Sequence, residues 1–376
     1  MNNRDPPFGV YIHVPFCAAR CGYCDFNTYV PDGGEQQHEF VEAALLELGQ
    51  ARAQLGERPA STVFIGGGTP TLLGADPLLR LLAGVAETLG LAPDAEVTTE
   101  ANPESVDGAM LRSLRSGGFT RVSLGMQSAA EHVLRTLHRA HTPGRAVAAA
   151  VEAREAGFEH VSLDLIYGTP GESDADWQRT LDAALAAWPD HVSAYALTVQ
   201  PGTAIAAAIR RGTMRAPDDD DQARRFTQAD ERLRAAGFDW YELSSWASGD
   251  RARCRHNLGY WLSHDWWGIG PGSHSHIGGV RWWNVLHPTA YASLCRRGRS
   301  PVAGREVLTS DQRALEAVML GLRVREGLTL SSLSEAGALA ARRQAVARRV
   351  VIAGDRVQLT LEGRLFADAV ARELSA

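Results

Sequence analysis

Three cysteines stand close together near the start of the chain, in Cys17-Ala18-Ala19-Arg20-Cys21-Gly22-Tyr23-Cys24. Thiolates at these spacings can hold three irons of a 4Fe–4S cube, whereas an ordinary cluster takes four cysteines, so one iron is left without a protein ligand. A coordination sphere that the protein leaves incomplete is open to a substrate or cofactor. Two other chemistries use clustered cysteines. A zinc site needs a fourth ligand, for which His13 or a distant histidine is available, and a disulfide needs an oxidising compartment. The remaining thiols, Cys254 and Cys295, are isolated, so the five cysteines do not form a disulfide framework; a reduced cytosol also suits an oxygen-sensitive cluster.

More residues capable of chemistry follow, each near the end of a β-rich run. Gly66-Gly67-Gly68-Thr69-Pro70 offers backbone N–H groups and a hydroxyl to a carboxylate or phosphate, or is simply a tight turn. Glu100, in Glu100-Ala101-Asn102-Pro103, is either a polar anchor or a helix cap. Gln127 carries both a donor and an acceptor, and the next helix brings Arg135, read as a solvated charge, and Arg139, whose guanidinium can pair with a carboxylate. Asp164 is set among apolar residues in Leu163-Asp164-Leu165-Ile166, where a carboxylate is costly unless it is paired or binds something.

These residues need a scaffold that gathers strand ends. From Phe8 to about Glu242, β-rich runs (9–14, 62–65, 96–100, 121–125, 160–166 and 191–198) alternate with helical periodicity at 39–55, 77–89, 106–115, 145–156 and 174–187. Strands alternating with helices predict a parallel sheet with crossover helices. Six such units make an α/β fold, a partial (β/α)6 TIM-type barrel, in which functional residues sit at the C-terminal strand ends. The run Asp218-Asp219-Asp220-Asp221 precedes a helix at 222–236, whose dipole it suits. Three segments follow: 1–243 as the barrel, 244–304 as an aromatic and His-rich extension, and 305–376 as a mainly helical, winged-helix-like appendage with a hairpin at 350–360 and a closing helix at 362–374.

Composition limits the function. A chain of 376 residues exceeds a single core, and 45% hydrophobic with 22% charged residues describes a soluble globular protein. All 38 basic residues are arginine and the net charge is −6, which gives no global reason to expect nucleic-acid binding. The appendage arginines Arg342, Arg343, Arg348 and Arg349 read as a solvated helix face. With neither an apolar leader at residues 1–7 nor a membrane-length apolar run, the expected location is cytoplasmic, without a membrane anchor.

The spacing CxxxCxxC after a strand resembles the radical S-adenosylmethionine (SAM) superfamily, in which SAM chelates the open iron and is cleaved to a 5′-deoxyadenosyl radical. Together with Tyr11-x-His13-x-Pro15-Phe16-Cys17, the GGGTP turn, EANP, Gly-x-Gln-Ser and Asp-Leu-Ile-Tyr-Gly, the chain resembles that superfamily's oxygen-independent coproporphyrinogen III oxidase-like branch. The resemblance implies a cluster at Cys17, Cys21 and Cys24, and SAM contacts from Tyr11, Tyr23, Gly67, Gly68, Thr69, Glu100, Gln127, Arg139 and Asp164. The oxidase pattern places a further cysteine two residues after the third. Here the run is Cys24-Asp25-Phe26-Asn27, as in the haem-chaperone members of the branch.

His256-Asn257-Leu258-Gly259-Tyr260-Trp261 bears on the cargo. From the residues alone, His256 is a hydrogen-bonded structural histidine. The HNxxYW pattern resembles the chaperones' haem-binding motif and implies His256 as iron ligand, with Tyr260 and Trp261 packing nearby. Cys254 is an alternative ligand, while His274 and His276 either line the barrel mouth or make a zinc site with Cys254. The function implied is haem capture and transfer to acceptor haemoproteins, including membrane-bound respiratory enzymes. The rivals are coproporphyrinogen III decarboxylation and another radical SAM reaction. No catalytic residue is assigned, and a homodimer remains open.

Overall fold

The computed structural model describes residues 7–139, 142 and 144–375; the first six residues, on which the expectation about a leader rests, lie outside them. Along β1 (Phe8–Val14), Val10, Ile12 and Val14 are fully buried, while the alternate residues Tyr11 and His13 face the other way. That period of two recurs in β2 (Ala60–Gly67), β3 (Leu91–Ala101), β4 (Arg121–Gln127), β5 (His160–Tyr167) and β6 (His191–Ala196). Adjacent strands pair in parallel in that order. The crossovers are α1 (Gly34–Leu55), α2 (Ala75–Thr88), α3 (Gly108–Ser116), α4 (Glu131–Thr136) with α5 (Arg145–Glu155), and α6 (Asp174–Ala186). Apolar strand residues pack outward on these helices. Residues from all six strands, most of them polar, line one cavity, which makes the sheet a partial (β/α)6 barrel.

Beyond β6 come α7 (Ala204–Arg210) and α8 (Asp219–Ala235). The aspartate run belongs to the start of α8: Asp218 caps it, accepting from the Asp221 N–H at 2.9 Å, so the helix begins three residues before the expected 222. A hairpin of β7 (Asp239–Glu242) and β8 (Ser245–Ala247) adds antiparallel to β6. Then α9 (Arg255–Trp261) runs under the barrel floor.

Four strands that periodicity did not reveal follow: β9 (Asp265–Ile269), β10 (His274–Ile277), β11 (Val280–Asn284) and, after α10 (Pro288–Arg296), β12 (Val302–Val307). β9 pairs in parallel with β1, and the others extend the sheet antiparallel to twelve strands. Their sequences are rich in Gly, Trp and His rather than in alternating aliphatics, and the pairing of β9 is non-local.

The C-terminal region holds α11 (Ser310–Gly321), β13 (Leu328–Thr329), α12 (Glu335–Val346), β14 (Val350–Ala353), β15 (Arg356–Leu359), α13 (Leu361–Leu365) and α14 (Ala367–Leu374) around a core of its own that includes Leu322, Ala341, Val357 and Val370. Three short strands with helices give the winged-helix-like appendage. The single closing helix expected at 362–374 is broken at Phe366. Gly363 lies hard against the Arg349 carbonyl, and the buried Arg364 pairs with Asp230 of α8 at 2.6 Å, so the first turn is docked in one direction and the chain must re-aim.

Candidate functional site

A cavity of about 640 Å³ opens at the C-terminal ends of the strands. Its mouth is the loop after β1. Cys17, Cys21 and Cys24 all line it, and the loop is pinned at both ends: the Cys17 N–H donates to the Tyr29 carbonyl at 3.0 Å and the Gly22 N–H to the Leu137 carbonyl at 3.0 Å. Thr69 Oγ1 lies 3.8 Å from Cys17 Sγ, and Arg139 Nη1 donates to Cys21 Sγ at 3.4 Å. Burial is the main reason that the Cys17 and Cys24 thiols are pushed up, so as free thiols they hold their protons. Among the described residues no three His, Cys, Asp or Glu side chains converge on one point as a single-ion site does. Three thiolates that each take a different corner of a cube need no such convergence.

The glycine turn has little free space. Gly67 adopts φ +112°, where an added Cβ would come within 2.7 Å of the His13 ring, and a Cβ on Gly68 would lie 2.4 Å from the Phe16 carbonyl oxygen and 2.9 Å from Cys17 Sγ. The turn is thus moulded against the cysteine loop while still lining the cavity.

Behind it stand two carboxylates that, among the described residues, have no cationic partner at hydrogen-bond distance. Glu100 accepts the Gly67 N–H at 2.9 Å; burial, then repulsion from Asp164, push its carboxyl up to about 7. Asp164 accepts from Ser123 Oγ at 2.8 Å and from Ser193, and Arg139 lies close enough to favour its charge, yet burial still pushes its carboxyl up. Gln127, at the end of β4, has φ +62°, in the left-handed region that non-glycine residues rarely adopt, next to a register shift against β5. Such strain persists where the surroundings over-determine it, often at ligand sites. Among the described residues, Arg139 Nε is buried without a hydrogen-bond partner. Buried, under-partnered acids beside an arginine suit a ligand with positive groups and a carboxylate, the charge pattern of SAM.

The floor at the N-terminal strand ends is built around a buried ion pair that sequence reading missed. Arg121 meets Glu96 at 3.3 Å and donates to the Ala252 and Arg253 carbonyls at 2.9 and 3.1 Å, while Glu96 accepts the backbone N–H groups of Arg255 and His256. Burial raises Glu96, but Arg121 and these donors outweigh it, so the carboxyl sits below its usual range. The pair clasps α9 across the floor.

His256 is there, 4% exposed, with both ring nitrogens engaged: Nδ1 with Thr62 Oγ1 at 2.8 Å and Nε2 with the Tyr260 hydroxyl at 2.9 Å. Burial holds its imidazole down at about 4, so it is neutral. Its ring and Tyr260 form a wall between the main cavity and a smaller one of about 210 Å³, lined by Phe8, Leu258, Leu262 and Trp266 on the outer side of the floor.

The cavity therefore gathers Tyr11, Cys17, Cys21, Tyr23, Cys24, Gly67, Gly68, Thr69, Glu100, Gln127, Arg139, Asp164, His256 and Tyr260. Trp261 lines neither cavity, and among the described residues its indole N–H is buried without a hydrogen-bond partner. His274 and His276 do not line the mouth. They lie on β10, where His274 stacks on Trp283 and His276 Nδ1 meets the His264 carbonyl at 3.2 Å. Cys254 is buried beside Glu96, 3.6 Å away, so the zinc site imagined from these three residues does not form. Arg135 is an exposed charge paired with Glu131. Ser123, Ser162, His191, Ser193 and Tyr195, none of them picked out from the sequence, also line the cavity. Their signal was present: a polar residue at every second position of strands whose other positions are apolar.

The model for the radical SAM superfamily matches residues 11–184, and that for the HemN C-terminal domain matches 308–366. A protein of Mycobacterium tuberculosis named heme chaperone HemW is 54% identical over 98% of this chain and 95% of its own length. Heme chaperone HemW of Escherichia coli is 39% identical over 72% of this chain and 71% of its own. The solved structure of coproporphyrinogen III oxidase (HemN) from Escherichia coli, described as a radical SAM enzyme, superposes with a TM-score of 0.84 at 24% identity over 99% of this chain and 91% of that one, a likeness of fold. With a relative more than half identical along nearly the whole of both chains, this chain belongs to the HemW family of the radical SAM superfamily.

Proposed function

We propose that this protein captures haem and hands it to acceptor haemoproteins, on a radical SAM barrel that holds a 4Fe–4S cluster at Cys17, Cys21 and Cys24. Membership of the superfamily implies SAM and the cluster as cofactors. The observation that carries the chaperone reading is the near full-length relationship to proteins named heme chaperone HemW. Phe26, which lines the cavity mouth where the oxidase pattern has a further cysteine, agrees with it.

In this reading Tyr11, Tyr23, Gly67, Gly68 and Thr69 surround the methionyl end of SAM, and Glu100, Gln127, Arg139 and Asp164 hold its polar groups. The two under-partnered carboxylates support this, because a positive ligand would relieve their burial cost. A bound cluster would supply the electron that cleaves SAM. His256 is the proposed haem ligand, approached from the apolar outer cavity that it shares with Tyr260. An iron could take its Nε2 only after the bond to Tyr260 opens. Haem passes from there to acceptors that include membrane-bound respiratory enzymes, with no nucleic-acid partner. The protein works in the cytoplasm, as a monomer or homodimer, and the divisions at 243/244 and 304/305 separate barrel, haem-bearing segment and appendage. Among the described residues no helix is long and apolar enough to cross a membrane.

The test is anaerobic. Cluster-reconstituted protein is given haem in one sample, and coproporphyrinogen III with SAM and reductant in another. Haem retention without porphyrinogen turnover is expected; formation of protoporphyrinogen would overturn the chaperone reading in favour of the oxidase.

A further inference from the structure

The loop that carries Cys24 is tied down by a residue outside the cysteine set. The Asn27 carbonyl accepts from His13 Nε2 at 2.9 Å, and its Oδ1 accepts from the Tyr29 hydroxyl at 3.1 Å. Its Nδ2 donates to the Pro271 carbonyl at 3.1 Å and to the Leu286 carbonyl at 2.8 Å, joining the loop to chain 244 and 259 residues away. The opposing chain is shaped to receive it. Gly272 adopts φ +74°, where an added Cβ would lie 2.7 Å from Asn27 Nδ2, and Gly270 adopts φ +104°, where one would lie 2.5 Å from the His13 carbonyl oxygen. The contact also reaches inward. Because His13 Nε2 must donate to a carbonyl, Nδ1 accepts from the Tyr11 hydroxyl at 2.9 Å, and Tyr11 lines the cavity.

We infer that Asn27 is a positioning residue for the iron–sulfur cluster: by clamping residues 24–29 onto the 270–286 segment, it fixes the Cys24 end of the three-cysteine loop. The amide supplies two N–H donors for two carbonyls and an acceptor for Tyr29. Aspartate has the same shape but would face both carbonyls with oxygen. Losing an outer partner of a metal-ligand set costs about 10- to 100-fold in metal affinity. The inference rests on the reading that the three cysteines hold the cluster.

The experiment compares the anaerobically reconstituted full chain with Asn27→Asp, Gly272→Ala and Tyr29→Phe. Asn27→Asp and Gly272→Ala perturb one contact from its two sides, and Tyr29→Phe removes only the hydroxyl, which donates to Asn27 Oδ1 at 3.1 Å and to the Leu286 carbonyl at 3.4 Å. Readouts are the rate of iron removal by a chelator, the electron paramagnetic resonance spectrum of the reduced cluster, and melting of the cluster-free protein. Iron loss faster by about 10-fold or more in the first two variants, a smaller change in the same direction in Tyr29→Phe, and altered spectra in all three are expected. Unchanged iron loss and spectra, or lowered melting alone, would overturn the inference. Should the stronger variants not fold, Tyr29→Phe decides. Lack of a cluster in the unsubstituted protein would overturn the cluster reading itself and this inference with it.

Discussion

Glu100→Gln separates the electrostatic account of the cavity from a purely structural one. Glutamine keeps the acceptor that receives the Gly67 N–H and removes the charge. The Glu100 carboxyl, buried beside Asp164, is raised from 4.5 to about 7. An acid with a raised native pKa binds its proton more tightly folded than unfolded, so stability falls as pH rises from 4.5 through about 7. Above that range the full penalty stands. At about 1.4 kcal/mol per pKa unit, the shift amounts to roughly 3 kcal/mol at pH 8, shrinking to a few tenths near pH 4.5. Ligand-free Glu100→Gln should therefore resist denaturant better than the unsubstituted protein at pH 8, and the two should converge near pH 4.5. Comparing the proteins at each pH cancels the titration of other buried groups such as His191, held at about 3, and Glu47, raised to about 7. The same variant should bind SAM more weakly in anaerobic calorimetry. A variant equally destabilised at pH 8 and pH 4.5 would refute the reasoning, because Glu100 would then be satisfied by its hydrogen bonding and not poised for a cation.

Arg121→Ala strands Glu96 in the floor and should cost about 3–5 kcal/mol, measured by denaturant unfolding, with protease cleavage near α9 as a second readout; an effect below ~1 kcal/mol would show that the floor does not depend on the pair. If His256 is the haem ligand, His256→Ala should weaken haem binding and shift the Soret band while leaving the cluster spectrum intact; an unchanged Soret band and affinity would sink the assignment. Tyr260→Phe, which frees His256 Nε2, should speed haem binding in stopped-flow mixing. Because the buried ring resists protonation until about pH 4, haem affinity through His256 should stay level from pH 8 to pH 5.5; a fall centred near pH 6.5 would mean that an ordinary, solvent-exposed histidine is the ligand.

The cysteine loop and the strand-end residues were legible in sequence because their information is local. Three thiols in eight residues, a glycine turn after β2 and a lone carboxylate in an apolar strand each announce themselves without knowledge of what lies opposite. The floor was not legible in the same way. Glu96, Arg121 and His256 stand far apart in the chain, and only the sheet register, with Thr62 opposite Glu96 and Thr98 opposite Arg121, brings them together. The strands β9 to β12 were hidden because Asp265-Trp266-Trp267-Gly268-Ile269 is recognisable as a strand only once β1 lies beside it. Reading His256 from its residue type alone as a bonded structural histidine matches its geometry; the haem role comes from the motif resemblance and requires one of those bonds to open.

The central claim is handover, and haem transfer tests it most directly. The haem-loaded, cluster-containing protein is mixed anaerobically with an apo-form of a b-type haemoprotein, and the Soret band is followed beside a parallel sample in which apomyoglobin traps haem released into solution. Transfer to the acceptor is expected at a rate that rises with acceptor concentration and exceeds release to the trap. Transfer no faster than release, or haem that never leaves, would contradict it.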